Sequence, residues 1–160
     1  MTENNVTFED TMKGKFLTFS LDDENYGLDI CYVTEIVGIQ PITLVPELPE
    51  FVKGIINLRG EIIPVMDARL KFKKDELSYN DRTCIVVIEV EQLLIGIIVD
   101  AVRDVLTIPE DSIVPPPIIG VNGRKYIKSI AKHDNKVILV IDCEALLNED
   151  ELSEISQVNE

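Results

Sequence analysis

Residues 83–99 constrain this chain more than any other stretch. Thr83 to Val90 and Leu93 to Val99 are nearly unbroken apolar runs, parted only by Glu91-Gln92. A strand with one wet face alternates apolar and polar side chains, so runs without alternation belong to strands covered on both faces. Leu93 to Val99 is strand-sized, far short of the roughly 20 apolar residues that span a bilayer as a helix.

The rest of the chain follows the same pattern of short apolar runs broken by turns. From Lys15, Leu17, Phe19 and Leu21 alternate with Phe16, Thr18 and Ser20. Asp22-Asp23-Glu24-Asn25 interrupts, and Tyr26, Leu28 and Ile30 resume, which predicts a hairpin. Cys31 to Ile39 is expected to be one turn followed by a strand. Pro41, Pro46 and Pro49 limit Ile42 to Val45 to a short edge strand. Pro49 to Gly54 is expected to be a short helix, opened by proline and closed by glycine. Asp67 to Lys74 predicts a second brief helix, amphipathic through Leu70 and Phe72, and Ser78 to Arg82 a polar loop. Asp104 to Ile108 extends the sheet, Pro109 to Pro117 is a stiff connection, and Asn122-Gly123 is a hairpin signal. Tyr126 to Ala131 and Val137 to Ile141 are the last strands, joined by a turn at His133-Asp134-Asn135, before a terminal helical turn at Cys143 to Leu147. About nine or ten short strands with single-turn helices read as an all-β chain with barrel closure.

Phe51 to Leu70 is the densest part of that pattern. Ile55-Ile56-Asn57-Leu58 and Ile62-Ile63-Pro64-Val65-Met66 flank Arg59-Gly60-Glu61, a second hairpin whose glycine supplies positive φ. Nothing in turn chemistry asks for an arginine at the tip. Arg59 is either a solvated loop charge or a recognition residue held out by a stiff support. Glu35, an acid inside an apolar segment, is either a solvent-facing alternate position or a partner for Arg59.

The segment FVKGIINLRGEIIPVMD, with Tyr26 to Ile30, Val33 to Val37, Ile42-Thr43, Gly96 to Val102 and Asp104 to Leu106, resembles the CheW family of bacterial chemotaxis coupling proteins. The similarity runs from about Lys15 to Leu147. It implies two interlocked small five-stranded SH3-like β-barrels, with both halves of the chain contributing to each. It also implies a cytoplasmic, non-catalytic adaptor that joins chemoreceptor signalling tips to the histidine kinase CheA. Carried over by position, Leu17, Ile30, Val33, Ile36 and Val102 line a receptor groove, with Arg59 and Glu35 paired at its edge. Ile42, Val45, Val52 and Ile62 are the candidate kinase contacts, each equally readable as plain core packing. The domain is expected over residues 13–147, between a flexible arm at 1–12 and an acidic tail at 148–160.

Composition narrows the alternatives. A formal charge of −14 argues against nucleic acid, which needs a basic footprint, and against anionic membrane surfaces. The polar, acidic N-terminus lacks the layout of a secretory signal, so a cytoplasmic location is expected. Cys31, Cys84 and Cys143 are widely spaced and set among apolar residues; buried reduced thiols are expected, with no metal and no cofactor. The single histidine, His133, has no nucleophile motif near it, and no phosphate-binding or metalloprotease motif is present. A generic SH3-like peptide-binding module is the alternative to the adaptor, weakened by an aromatic content of 6% and the lack of tryptophan.

Overall fold

The computed structural model describes residues 13–116 and 126–146. The expectations for residues 1–12, 148–160 and the Asn122-Gly123 turn fall outside them. Among the described residues eleven strands occur: β1 (Lys15–Leu21), β2 (Glu24–Asp29), β3 (Val33–Gly38), β4 (Val52–Leu58), β5 (Glu61–Asp67), β6 (Cys84–Val90), β7 (Leu93–Val99), β8 (Ala101–Thr107), β9 (Ile113–Val114), β10 (Ile127–His133) and β11 (Lys136–Ile141). The only α-helix among the described residues is a single turn, α1 (Ala68–Lys71), and 3-10 turns occupy Ile30–Tyr32 and Glu110–Ser112.

The strands form two sheets, one of five strands in the order β3-β6-β7-β5-β4 and one of six in the order β8-β1-β2-β11-β10-β9. The expected five-and-five division is therefore five and six, because the two-residue β9 adds itself to β10. Both halves of the chain contribute to the fold, but in a nested way. The five-stranded sheet takes one continuous stretch, β3 to β7, and the six-stranded sheet is assembled from what lies on either side. The chain crosses between sheets twice, through the 3-10 turn at Ile30–Tyr32 and through the single residue Asp100 between β7 and β8.

Strand periodicity explains the double coverage of β6 and β7. Val86, Ile88 and Val90 with Ile95, Ile97 and Val99 face the six-stranded sheet, where they meet Leu17, Phe19, Leu21, Tyr26 and Leu28 in a shared core. The alternate residues Ile85, Val87 and Ile98 point the other way, into a second core with Ile56, Leu58, Ile63 and Val65. Gly96 lies on that crowded inner side: a Cβ there would sit 2.7 Å from Val65 Cγ1 and 2.8 Å from Ile85 Cγ2. A third core, with Phe16, Ile108, Ala131, Ile138 and Val140, fills the concave side of the six-stranded sheet. Each sheet is thus curled around its own core and pressed against the other through a common one.

Some local expectations fail for clear reasons. Pro49 to Gly54 is not a helix: β4 already begins at Val52, and Gly54 takes φ +147° inside it. Its missing side chain lets Thr43 approach and exchange two 2.9 Å backbone hydrogen bonds with Ile55. The short edge strand expected at Ile42 to Val45 is reduced to that one bridge. His133 ends β10 rather than lying in the turn, which is formed by Asp134-Asn135 at positive φ. The cysteines are free, but only Cys143 is buried; Cys31 is exposed and Cys84 half-buried.

Candidate functional site

The β4–β5 hairpin turns on Arg59 (φ +53°) and Gly60 (φ +89°). Positive φ at both central residues gives the tight two-residue turn whose twist matches the flanking strands. Glycine adopts that backbone freely and arginine does not. Asn57 Oδ1 accepts the Gly60 N–H at 2.9 Å and fixes the turn. The Arg59 side chain remains 68% exposed, and its Nη2 donates to Glu35 Oε1 on β3.

This pair says something about the sheet. Strands β3 and β4 stand at opposite ends of the five-strand order, which in a flat sheet would separate them by about 19 Å. Two side chains do not reach across that gap. The pair exists because the sheet curls until its edges approach, and it marks where they meet.

The other predicted residues divide by burial. Ile30 and Val33 are half-buried at the first crossing between sheets, Val102 is half-buried just after the second, and all three pack at the margin of the shared core. Ile36 is exposed on β3, beside Glu35. Leu17 is different. At 1% exposure it is a member of the shared core and offers no surface. Among the expected kinase contacts, Ile62 is exposed on β5, Ile42 and Val45 are half-buried in the proline-rich segment, and Val52 is a core residue at 8% exposure. Leu44, between Ile42 and Val45, is 79% exposed and carries no sequence signal that marks it out. Its place opposite β4 depends on the Thr43–Ile55 bridge, which no local pattern announces.

A second arginine lies behind the seam. Arg69, on α1, is only 7% exposed at its side chain. Its Nε and Nη2 grip Asp100 Oδ1 and Oδ2 at 2.9 and 3.0 Å, Nη2 also donates to Asp22 Oδ1, and Nη1 donates to the Asp75 carbonyl at 2.8 Å. The Asp100 and Asp22 carboxylates hold the guanidinium proton more tightly than usual, against the opposing effect of burial. Asp100 Oδ2 further accepts the Asp22 N–H at 3.1 Å. The group therefore ties the β1–β2 turn and the second crossing to α1. Asp67 caps that helical turn, accepting from Arg69 N at 2.8 Å and from the Tyr79 hydroxyl at 2.9 Å, and burial with this bond raises the Tyr79 pKa. On the other side of α1, Lys71 lies 4.0 Å from the Phe51 ring centroid and 4.7 Å from that of Tyr126.

At the first crossing, Tyr32 donates to Glu144 Oε2 at 3.2 Å. Burial, then the Glu144 charge, pushes the phenol up to about 12. Nearby, burial and Asp142 push the Cys143 thiol up to about 12.

Residues 15–151 match the model of the CheW-like domain. The chain belongs to the CheW family. It is 35% identical to a chemotaxis protein CheW of Klebsiella aerogenes over 93% of this chain and 90% of that protein. It is 33% identical to the CheW protein of Treponema pallidum over 90% and 88%, and 27% identical to the protein FrzA of Myxococcus xanthus over 74% of each. Among solved structures, the CheW scaffolding protein of Thermoanaerobacter tengcongensis superposes with a TM-score of 0.80 at 41% identity, covering 86% of this chain and 94% of that one. The CheW resemblance read from the sequence and the mostly-β, two-sheet fold it implied both hold. Among the described residues, no helix is long and apolar enough to cross a membrane.

Proposed function

We propose that this protein is a non-catalytic, cytoplasmic chemotaxis adaptor that docks a chemoreceptor tip along the seam where the edges of the five-stranded sheet meet and the kinase CheA on the outer side of that sheet. The observation that carries the reading is the Arg59–Glu35 pair. It is an exposed arginine held at a costly backbone angle and paired across the sheet's meeting edges with Glu35, which sits on β3 beside Ile36 and just after the half-buried Ile30 and Val33; Val102, on β8, is assigned to the same surface. A helical tip laid along such a seam would bury the apolar margin and leave the planar guanidinium to bridge Glu35 and an acceptor on the tip. Leu17 supports this surface from beneath. The kinase face is assigned to Ile62, Ile42 and Val45, joined by Leu44; Val52, a member of the shared core, is left out of it.

Calorimetric titration tests both halves. The full chain should bind a soluble receptor cytoplasmic fragment and the CheA regulatory domain independently. Glu35→Ala should weaken the first and spare the second, and Leu44→Asp should do the reverse. If one substitution weakens both equally while the fold is intact, the division of surfaces is wrong.

A further inference from the structure

A cavity of about 370 Å³ opens at one end of the six-stranded sheet, lined by none of the residues assigned above to receptor or kinase. Its size lies within the range of small-molecule and side-chain pockets, about 300–1,000 Å³. Phe16, Ile113, Val140 and Cys143 give it an apolar lining. Cys143 is 3% exposed, and its thiol makes no hydrogen bond among the described residues. Three carboxylates, Asp29, Glu110 and Asp142, stand with a single ammonium, Lys128.

Their bonding leaves capacity unused. Asp29 gives only Oδ1 to a backbone N–H, that of Cys31, and Asp142 gives only Oδ1 to those of Glu144 and Ala145. Glu110 and Lys128 make no ion pair among the described residues. Lys128 falls where the β10–β11 register slips between Ile127 and Ser129, and an extra residue of this kind re-aims a side chain. Three negative groups against one positive, in a chain of net charge −14, favour a cation, and the lining favours an apolar stem behind it.

We propose that this cavity is a binding site for a cation carried on an apolar stem, the chemistry shared by a basic side chain of a partner polypeptide and a free alkylguanidinium. The carboxylates receive the cation, and Lys128 donates to an acceptor beside it, such as a peptide carbonyl.

The test is a titration of the isotopically labelled full chain, followed by amide chemical shifts. The probes are n-butylguanidinium, Nα-acetyl-arginine-N-methylamide and the neutral Nα-acetyl-norleucine-N-methylamide. Both cations should give saturable shifts at Ile113, Ser129, Val140 and Cys143, and the neutral probe should not. Tighter binding of the arginine amide assigns the site to a polypeptide's basic residue; equal binding assigns it to free organic cations. The double variant Glu110→Gln, Asp142→Asn keeps the side-chain oxygen that accepts the Glu144 and Ala145 N–H groups and should weaken both cations about tenfold, as expected for two partly exposed charge contacts. Equal response to the neutral probe, no saturable shift with either cation, or unchanged affinity in the double variant would each overturn the proposal.

Discussion

Arg59 and Arg69 lie ten positions apart, at the two ends of β5, and each pairs with acids distant in sequence, Arg59 with Glu35 on β3 and Arg69 with Asp22 and Asp100 in two connections between strands. One side chain is 68% exposed and the other 7%. Arg59 pairs with one acid in water, where solvent competes for both charges, so the pair adds at most about 1 kcal/mol to stability. Arg69 holds two carboxylates and a backbone carbonyl with its own guanidinium shielded from water; Asp22 stays open to solvent, so removing Arg69 leaves chiefly the more sheltered Asp100 without its partner. Residue type is the same in both places. Burial decides which arginine holds the fold and which stays open to solvent.

The largest effect should come from the buried member. Arg69→Ala is expected to lower the unfolding free energy by up to about 3 kcal/mol in urea denaturation, the low end of the cost of breaking a buried pair, because Asp22 keeps its contact with solvent. A loss no larger than that of Arg59→Ala would erase the contrast. The exposed member should show its effect in binding instead. Arg59→Ala should cost about 2–5 kcal/mol of affinity for a receptor cytoplasmic fragment, with CheA affinity nearly intact. Combined with Glu35→Ala it should lose less than the sum of the single changes, since both remove one interaction. Strict additivity in the titration would mean that the pair does not act as a unit.

Alkaline titration extends the comparison to a buried thiol and a half-buried phenol. Cys143 is held protonated up to about 12 against an ordinary 9, and Tyr32 up to about 12 against 10. Above pH 9 the unfolded chain releases these protons before the folded one does. Their stabilisation is therefore complete below pH 9 and declines as pH rises toward 12, at no more than about 1.4 kcal/mol per pH unit for each group. Cys143→Ala should flatten the first part of that decline in thermal melts taken from pH 8 to 11; an unchanged slope would show that the thiol is not sheltered. The smallest effect sharpens the contrast most. Arg59→Asn places a residue suited to positive φ at the turn and should raise stability by a few tenths of a kcal/mol while binding falls as in Arg59→Ala. A fall in both would mean that Arg59 supports the hairpin it stands on.

The two arginines also differ in how far the sequence reveals them. Arg59 is legible because its signals are local: two β-branched arms, a short break with glycine, and an acid at Glu35 in a recognisable segment. Arg69 is not, since its partners lie 47 and 31 positions away and a brief amphipathic helix through Leu70 and Phe72 fits the same letters. In the structure Arg69 and Lys71 are buried in that turn together with Ala68, and Leu70 is only half-buried. The doubly covered strands at residues 84–99 are readable because a strand-length run with no polar alternate leaves no face fit for water. Leu17 and Val52 are misplaced by position alone, because a strand's alternation tells which residues share a face and not which core that face meets. The Pro49 to Gly54 error has the same origin: its glycine serves a neighbour brought close by tertiary contact, and its local flanks imitate a helix end.

The nesting of one sheet within the other carries a consequence for how the protein is made. During synthesis from the N-terminus, β1 and β2 emerge first as a lone hairpin, which is marginal by itself in water. Strands β3 to β7 then follow without interruption, so the five-stranded sheet has all its members once residue 99 has left the ribosome. The early hairpin must wait for β8 on one flank and for β11, the parallel neighbour of β2, which ends at Ile141. Until then the apolar faces of Leu17, Phe19 and Leu28 have only the completed middle sheet to rest on. The middle sheet becomes the template on which the two ends of the chain are gathered, and a nascent chain stalled before residue 136 presents an open strand edge at β2.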